Sequence, residues 1–284
     1  MNRVLLGFKA FDAHELLCHF VAAEAGVYSR YGIRVRLVDI TFIPDTELPA
    51  ELFQVSCGAA LAGALRGNGQ RVVFVATDRP MFWLYGSQGV ENLAALRHGR
   101  IAAFPAGTPP DRLTRLILQN ADLTPDSDLE LAPARDDMAR LGLLKSGDVH
   151  GAVISSAMPP ATLERAGFHR LCFFGDAIRL PTTGLAVHAS QLQRRGPLVA
   201  SLVGCLKESL ALIRSDPGLV AQVLDRYFDV PGTAIEQTAK LYSDCFTGDG
   251  RTTPAIAQAA VDSLSASLGI DAPVPWKRIY DFSP

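Results

Sequence analysis

The chain has 284 residues, with 27 Lys and Arg against 29 Asp and Glu, for a formal net charge of −2. This balance gives no general attraction for nucleic acid or anionic lipid. The hydrophobic share of 48% against 20% charged is that of a chain able to build a core, as one large domain or two modest lobes. No unbroken apolar run approaches the roughly 18 residues of a membrane-spanning segment, so membrane insertion is not expected.

The first residues, Met1–Lys9, hold a short apolar stretch and then meet Phe11, Asp12 and His14. They lack the apolar core of about 7–15 residues and the small-residue cleavage site of a secretory signal. The five cysteines (Cys18, Cys57, Cys172, Cys205, Cys245) are scattered and odd in number, which fits a reducing compartment better than a disulfide framework. As written, the chain reads as cytoplasmic, and as periplasmic if a leader precedes it.

Strand and helix patterns then alternate. Val4–Phe8 is an apolar run, and Leu16, Leu17, Phe20, Val21 and Ala25 recur at helical spacing from about Ala13 to Arg30, where Tyr31-Gly32 ends the pattern. Ile33–Ile40 alternates as a half-buried strand does. Leu52–Val55 leads through Ser56-Cys57-Gly58 into an Ala/Leu-rich helix. Arg71–Ala76 is so apolar that it predicts a parallel strand covered on both faces. Met81–Tyr85 is another strand, and Gly86–Gly99 a connection with a short helix.

The pattern restarts at Arg100–Phe104. Thr108 suits a helix N-cap, Pro109 the first helical position, and Asp111 a variant capping box. A helix over Asp136–Lys145 leads to a strand at Val149–Ile154, followed by a short helix at Pro159–Ala166. Leu171–Phe174 is a strand and Leu185–His188 a return strand. From Pro197 the chain is helical, with starts at Asp216-Pro217, Pro231-Gly232 and Thr253-Pro254. The alternation predicts α/β doubly wound sheets with a helical C-terminal tail.

The stretch Ala23–Leu37 resembles the first helix and second strand of the nitrate/sulfonate/taurine-type solute-binding proteins of ABC transporters. Phe53–Thr77, Arg100–Asp111 and Gly184–Pro217 resemble further parts of that family in the same order. The resemblance implies the two-lobed type II periplasmic-binding-protein fold, with lobe 1 formed by residues 1–92 and 182–284 and lobe 2 by 93–181. It also implies a ligand held in the cleft between the lobes and delivered to a membrane permease. Two departures stand out: a short 41–51 connection, and Gly147-Asp148-Val149-His150-Gly151 where the family carries Gly-x-x-Asp-Ala.

Independently of the family, ligands in open α/β sheets sit beyond the carboxyl ends of the strands. That rule selects Phe11, Asp12 and His14 after the first strand, and Ser56, Cys57 and Gly58 after the third. It selects Gly107 and Thr108, then Ser155 and Ser156, in the second half of the chain. Hydroxyls and helix-start N–H groups favour a polar or anionic organic ligand, such as a sulfonate, carboxylate or pyrimidine. Arg79 is a further candidate, able to bind such a group as a fork, with Phe82 and Trp83 either covering an organic tail or packing as strand residues.

Each candidate also has a purely structural role open to it: Thr108 and Asp12 as caps, Ser155-Ser156 as a turn, Cys57 as a small core residue. Cys57, at a helix N-terminus, and the Asp12/His14 pair are the groups an enzyme would use. No Cys/His/Asn signature accompanies Cys57, so no catalytic residue is assigned. In the run from His14 to His19, the position where a zinc helix needs its second histidine is Cys18, and no metal or cofactor is expected.

Two functions follow: a solute-binding protein, monomeric or weakly dimeric, serving ABC-type uptake with a permease partner, or a cytoplasmic enzyme of decarboxylase, desulfinase or pyrimidine-precursor type on the same scaffold. An isolated effector-sensing domain is a third, without an obvious helix-turn-helix.

Overall fold

The computed structural model describes all residues, 1–284. The chain divides into two compact units, Met1–Pro80 with Arg179–Asp229 and Ala239–Pro284, and Met81–Ile178 with Val230–Thr238. These units divide at 80/81 and 178/179, and a short helical piece near residue 235 joins the second unit.

The first unit opens with β1 (Asn2–Phe8), α1 (Ala13–Glu24), α2 (Val27–Arg30) and β2 (Ile33–Asp39). The predicted single helix to Arg30 is interrupted because Gly26 takes a left-handed φ of 65° between α1 and α2. It continues with β3 (Leu52–Ser56), α3 (Cys57–Leu65) and β4 (Gln70–Thr77).

The second unit holds β5 (Phe82–Gly86), β6 (Arg100–Ala103), α4 (Pro109–Asn120), β7 (Glu130–Pro133), α5 (Asp137–Ser146), β8 (Gly151–Ser155), α6 (Pro160–Arg165), β9 (His169–Phe173) and α7 (Phe174–Ala177). The chain returns through β10 (Thr183–His188) and ends in α8 (Ala189–Ser215), α9 (Pro217–Phe228), α10 (Ile235–Ser243) and α11 (Pro254–Ser267).

The first sheet runs β2-β1-β3-β10-β4 and the second β7-β6-β8-β5-β9. Each is mixed for one reason: the strand that enters by crossover, β10 in the first and β5 in the second, is antiparallel to both neighbours. β4 is thus an edge strand paired only to antiparallel β10, not the parallel strand its apolar run predicts. Its residues are buried because the C-terminal segment covers the open edge: Val72 N–H donates to Ile279 at 2.8 Å, Val75 N–H to Gly250 at 2.8 Å, and Thr247 N–H to Ala76 at 2.7 Å. At Gly184 the β10 backbone lies so close to β4 that a Cβ there would stand 2.0 Å from the Phe74 carbonyl oxygen.

One face of the first sheet packs on α1 and α8, through fully buried Leu16, Leu17, Val21, Leu202, Leu206 and Leu210. The other carries Cys57, Leu61, Val72, Ala257, Val261 and Tyr280. α8 begins before the predicted Pro197 and bends at Arg195, whose φ of −133° is not helical. By length and composition it is apolar enough to cross a membrane, unlike anything read from the sequence, and half of its apolar window is buried inside the protein. The second core centres on Trp83, Tyr85, Leu96, Ile101, Ile154 and Phe174.

Candidate ligand-binding edges

At the carboxyl edge of the first sheet, β1 ends at Phe8 and α1 starts after Asp12. Asp12 is the N-cap: its Oδ1 accepts from Glu15 N–H at 2.9 Å. Glu15 turns back to accept from Lys9 N–H at 2.7 Å and Ala10 N–H at 3.1 Å, the reciprocal arrangement of a capping box displaced by two residues. Burial and the neighbouring Asp12 carboxylate push Glu15 up to about 8, against the lowering effect of those two N–H donors.

His14 is buried, with Nε2 2.8 Å from Thr182 Oγ1. Burial lowers its pKa to about 3, so the ring is neutral at ordinary pH. Thr77 Oγ1 lies 2.7 Å from both Thr182 Oγ1 and Thr183 Oγ1, and Thr183 donates to the His14 carbonyl at 3.0 Å. These three threonines were not singled out from the sequence. The signal was the pair Thr182-Thr183 at the start of the return strand, opposite Thr77 in the β10–β4 register.

The third-strand loop is joined to the same cluster. Cys57 N–H and Gly58 N–H both reach the Thr182 carbonyl, at 2.9 and 3.4 Å. Ser56 caps α3 by accepting from Ala59 N–H at 3.3 Å. The first N–H groups of α3 are therefore already engaged, and the expectation that they receive an anion is corrected: the Ser56 hydroxyl is the group there with a proton still to donate. Cys57 is corrected as well. Its side chain is fully buried in the core, Sγ donates to the Phe74 carbonyl at 3.7 Å, and burial pushes the thiol well above its usual range. In this position it packs as a core residue.

Phe11 is 54% exposed, with its ring 5.9 Å from each of Phe8, Phe20 and Phe228. Arg79 is half-buried and donates to the Asp244 carbonyl at 3.1 Å. Next to it, buried Asp78 pairs with Arg179 at 2.5 Å, and Leu180 N–H donates to the Asp78 carbonyl at 2.8 Å. Phe82 and Trp83, the proposed tail cover, belong to the second unit's core, where Trp83 stacks on Phe173 at 5.0 Å.

In the second unit, Thr108 caps α4, accepting from Asp111 N–H at 3.4 Å and donating to the Pro105 carbonyl at 2.7 Å. Gly107, at φ 79°, gives its N–H to Asp111 Oδ2 at 2.9 Å. The Asp111 carboxylate thus occupies the place where an anion was expected at this helix start.

Ser155 is likewise taken: its N–H and Oγ both donate to Asp137, the N–H at 3.0 Å. Asp137 pairs with Arg140, which is 1% exposed. Arg140 also donates to the carbonyls of Val153 (2.6 Å) and Ala134 (3.0 Å) and lies 3.6 Å from the centre of the Phe104 ring. This network was not anticipated, although Arg140 falls one turn before buried Leu144 on the inward stripe of α5. Ser156 is buried beside Ser155.

His19, suspected only as part of a zinc-like run, places Nδ1 2.8 Å from the Tyr28 hydroxyl. His150, standing where the resembling family carries Asp, accepts from Arg100 N–H at 3.1 Å.

No protein-family model and no curated protein matches the sequence. Among solved structures, the chain is similar over 98% of its length to the periplasmic aliphatic sulphonate binding protein SsuA from Escherichia coli, with a TM-score of 0.77, 15% identity and 91% of that chain covered. It is similar over 99% to the alkanesulfonate-binding protein SsuA from Xanthomonas axonopodis pv. citri, bound there to MOPS, with a TM-score of 0.77, 14% identity and 98% of that chain covered. The desulfurization enzyme DSZB matches 97% of this chain and 96% of its own, with a TM-score of 0.71 and 16% identity. At such identities the likeness establishes architecture, and the chain has the two-lobed type II periplasmic-binding-protein fold that sulfonate-binding proteins share with a desulfurization enzyme.

Proposed function

We propose that this protein is a solute-binding protein for a small polar or anionic organic molecule of the sulfonate or carboxylate kind, serving ABC-type uptake with a permease as partner. The observation that carries the reading is the end-to-end match of the fold to two alkanesulfonate-binding proteins. The carboxyl edge of the first sheet supports it chemically: the Ser56 hydroxyl and the neutral His14–Thr182 pair are uncharged groups suited to a polar head, while Asp12 suits a donor group on the same ligand. Five free thiols support work in a reducing compartment, and cell fractionation decides between that and a periplasmic location.

Isothermal titration against methanesulfonate, taurine, acetate, nitrate and uracil tests the reading. Saturable binding with the ligand recovered unchanged supports it, and no binding to any of them overturns it. The likeness to DSZB favours a second reading, an enzyme on the same scaffold. Release of sulfite from an aryl sulfinate during incubation is the result that selects it.

A further inference from the structure

The hydrophobic residue before a helix N-cap ordinarily packs against the fourth helical residue and fixes the chain's entry. Phe11 stands in that position before Asp12, and the fourth helical residue, Leu16, is fully buried in the core. Phe11 instead rests among other rings. Phe8, Phe20 and Phe228 surround it at 5.9 Å, and Phe20 is itself stacked on Tyr227 at 4.1 Å and lies 5.6 Å from Phe228. Tyr227 is held in turn by its hydroxyl, which donates to Glu24, and Glu24 pairs with Arg226 at 2.9 Å.

The outcome is an aromatic side chain that is 54% exposed yet buttressed from three sides, so its rotamer freedom is spent before any ligand arrives. It sits at the carboxyl end of β1, one residue before Asp12 and three before His14, and is therefore continuous with the polar groups of the candidate edge.

We propose that Phe11 is a specificity-determining residue and that the solute is an aryl acid: a flat aromatic group that stacks on the Phe11 ring, bearing the polar or anionic head that meets the adjacent edge. A ring fixed by its neighbours adds stacking on top of area burial only for a planar partner, because aromatic pairs prefer defined offset or edge geometries. A short aliphatic head group gains nothing from it. The proposal rests on the solute-binding reading and narrows its ligand class.

The test uses matched pairs sharing one head, benzenesulfonate with methanesulfonate and benzoate with acetate, titrated calorimetrically into the whole protein. The aryl member binds roughly tenfold tighter in at least one pair. Phe11→Leu, which keeps an apolar side chain against the three supporting rings, loses that preference, so that the two members of the pair bind with similar affinity. Phe11→Tyr keeps the preference, and in Phe11→Trp the indole emission responds to the aryl member and not to the small one.

Equal affinities within both pairs, or a preference that survives in Phe11→Leu, overturns the proposal and leaves the solute-binding reading standing. If no member of either pair binds, this proposal fails, and taurine, nitrate and uracil alone then decide the solute-binding reading. Far-ultraviolet circular dichroism of each variant guards against a folding defect, and the Phe11→Trp emission reads contact in a protein that keeps a ring at this position.

Discussion

Thr182 Oγ1 lies 2.8 Å from His14 Nε2, so the residue just before the return strand is bonded to the first turn of α1, 168 positions away. Thr182 also presents its carbonyl to Cys57 N–H and its hydroxyl to Thr77, so four separate stretches of sequence meet at one residue. Thr182→Val keeps the shape and leaves a buried imidazole nitrogen without this partner. A loss of about 1–3 kcal/mol in urea-induced unfolding is expected, with Thr182→Ser close to the parent protein. Equal stability of the Val and Ser variants would show that the hydroxyl contributes nothing.

The titration of the same region gives opposing slopes. His14 and His19 are lowered to about 3 and about 4 by burial. Below the ordinary histidine value near 6.5 the unfolded chain takes up protons that the folded chain refuses, so stability falls as pH drops from about 6.5 toward 4. Glu15 is raised to about 8 by burial and Asp12, so between about 4.5 and 8 the folded chain keeps a proton that the unfolded chain releases. Its contribution therefore falls as pH rises through that window. Thermal unfolding across pH 4 to 9 is expected to show Glu15→Gln with a shallower decline on the alkaline side, and His14→Gln with a shallower decline on the acid side.

The thiols are expected to be inert in the folded state. Cys18, Cys57, Cys205 and Cys245 are buried, and Cys172 is partly accessible. Burial raises Cys18 and Cys205 to about 12, which keeps both as unreactive thiols at neutral pH. A disulfide reagent added to native protein is expected to label Cys172 at most, and all five only after denaturation. Cys57→Ala is expected to keep ligand binding within about twofold while losing about 1 kcal/mol or more of stability from the core. Rapid labelling of Cys57 in the native protein would reopen the thiol-enzyme reading.

In the second unit, Arg140 serves two carbonyls, the Asp137 carboxylate and the Phe104 ring from a position 1% exposed. Arg140→Ala strips the half-buried Asp137 carboxylate of its counter-charge and leaves the Val153 and Ala134 carbonyls without their donor, and is expected to cost about 3 kcal/mol. Arg140→Lys is expected to recover only part of this, because a single ammonium cannot address acceptors spread around a planar fork. Denaturant titration ranks the three proteins, and a near-silent Arg140→Ala would refute the assignment.

The α/β order and most strand and helix positions were legible because hydrophobic periodicity and caps act locally: Asp12, Ser56, Thr108 and Thr253 each cap the helix they were placed before. β7 was missed because a four-residue edge strand with two exposed and two half-buried residues carries almost no alternation. The direction of β4 was misread because an edge covered by residues 246–250 and 279–281 is as apolar as a central strand, and the covering chain is some 200 residues distant.

The candidate edge was legible as a set of loops, yet its donors were not. Whether the Cys57 and Gly107 N–H groups remain available depends on Thr182 and Asp111, and such partners are chosen by tertiary structure. The buried pairing of Asp137 with Arg140 has the same origin: its sequence signal, two charges three residues apart, is that of an ordinary surface pair.

The interleaving of the two units also imposes an order on synthesis. All five strands of the second sheet lie within residues 82–173, so that sheet can pair before the rest of the chain exists. The first sheet must wait for β10 to bridge β3 and β4, and its outer edge stays uncovered until residues 279–281 arrive. A nascent chain emerging from the ribosome therefore carries a completed second sheet and an uncovered β4, and for that interval β4 is the strand most open to pairing with a neighbouring chain.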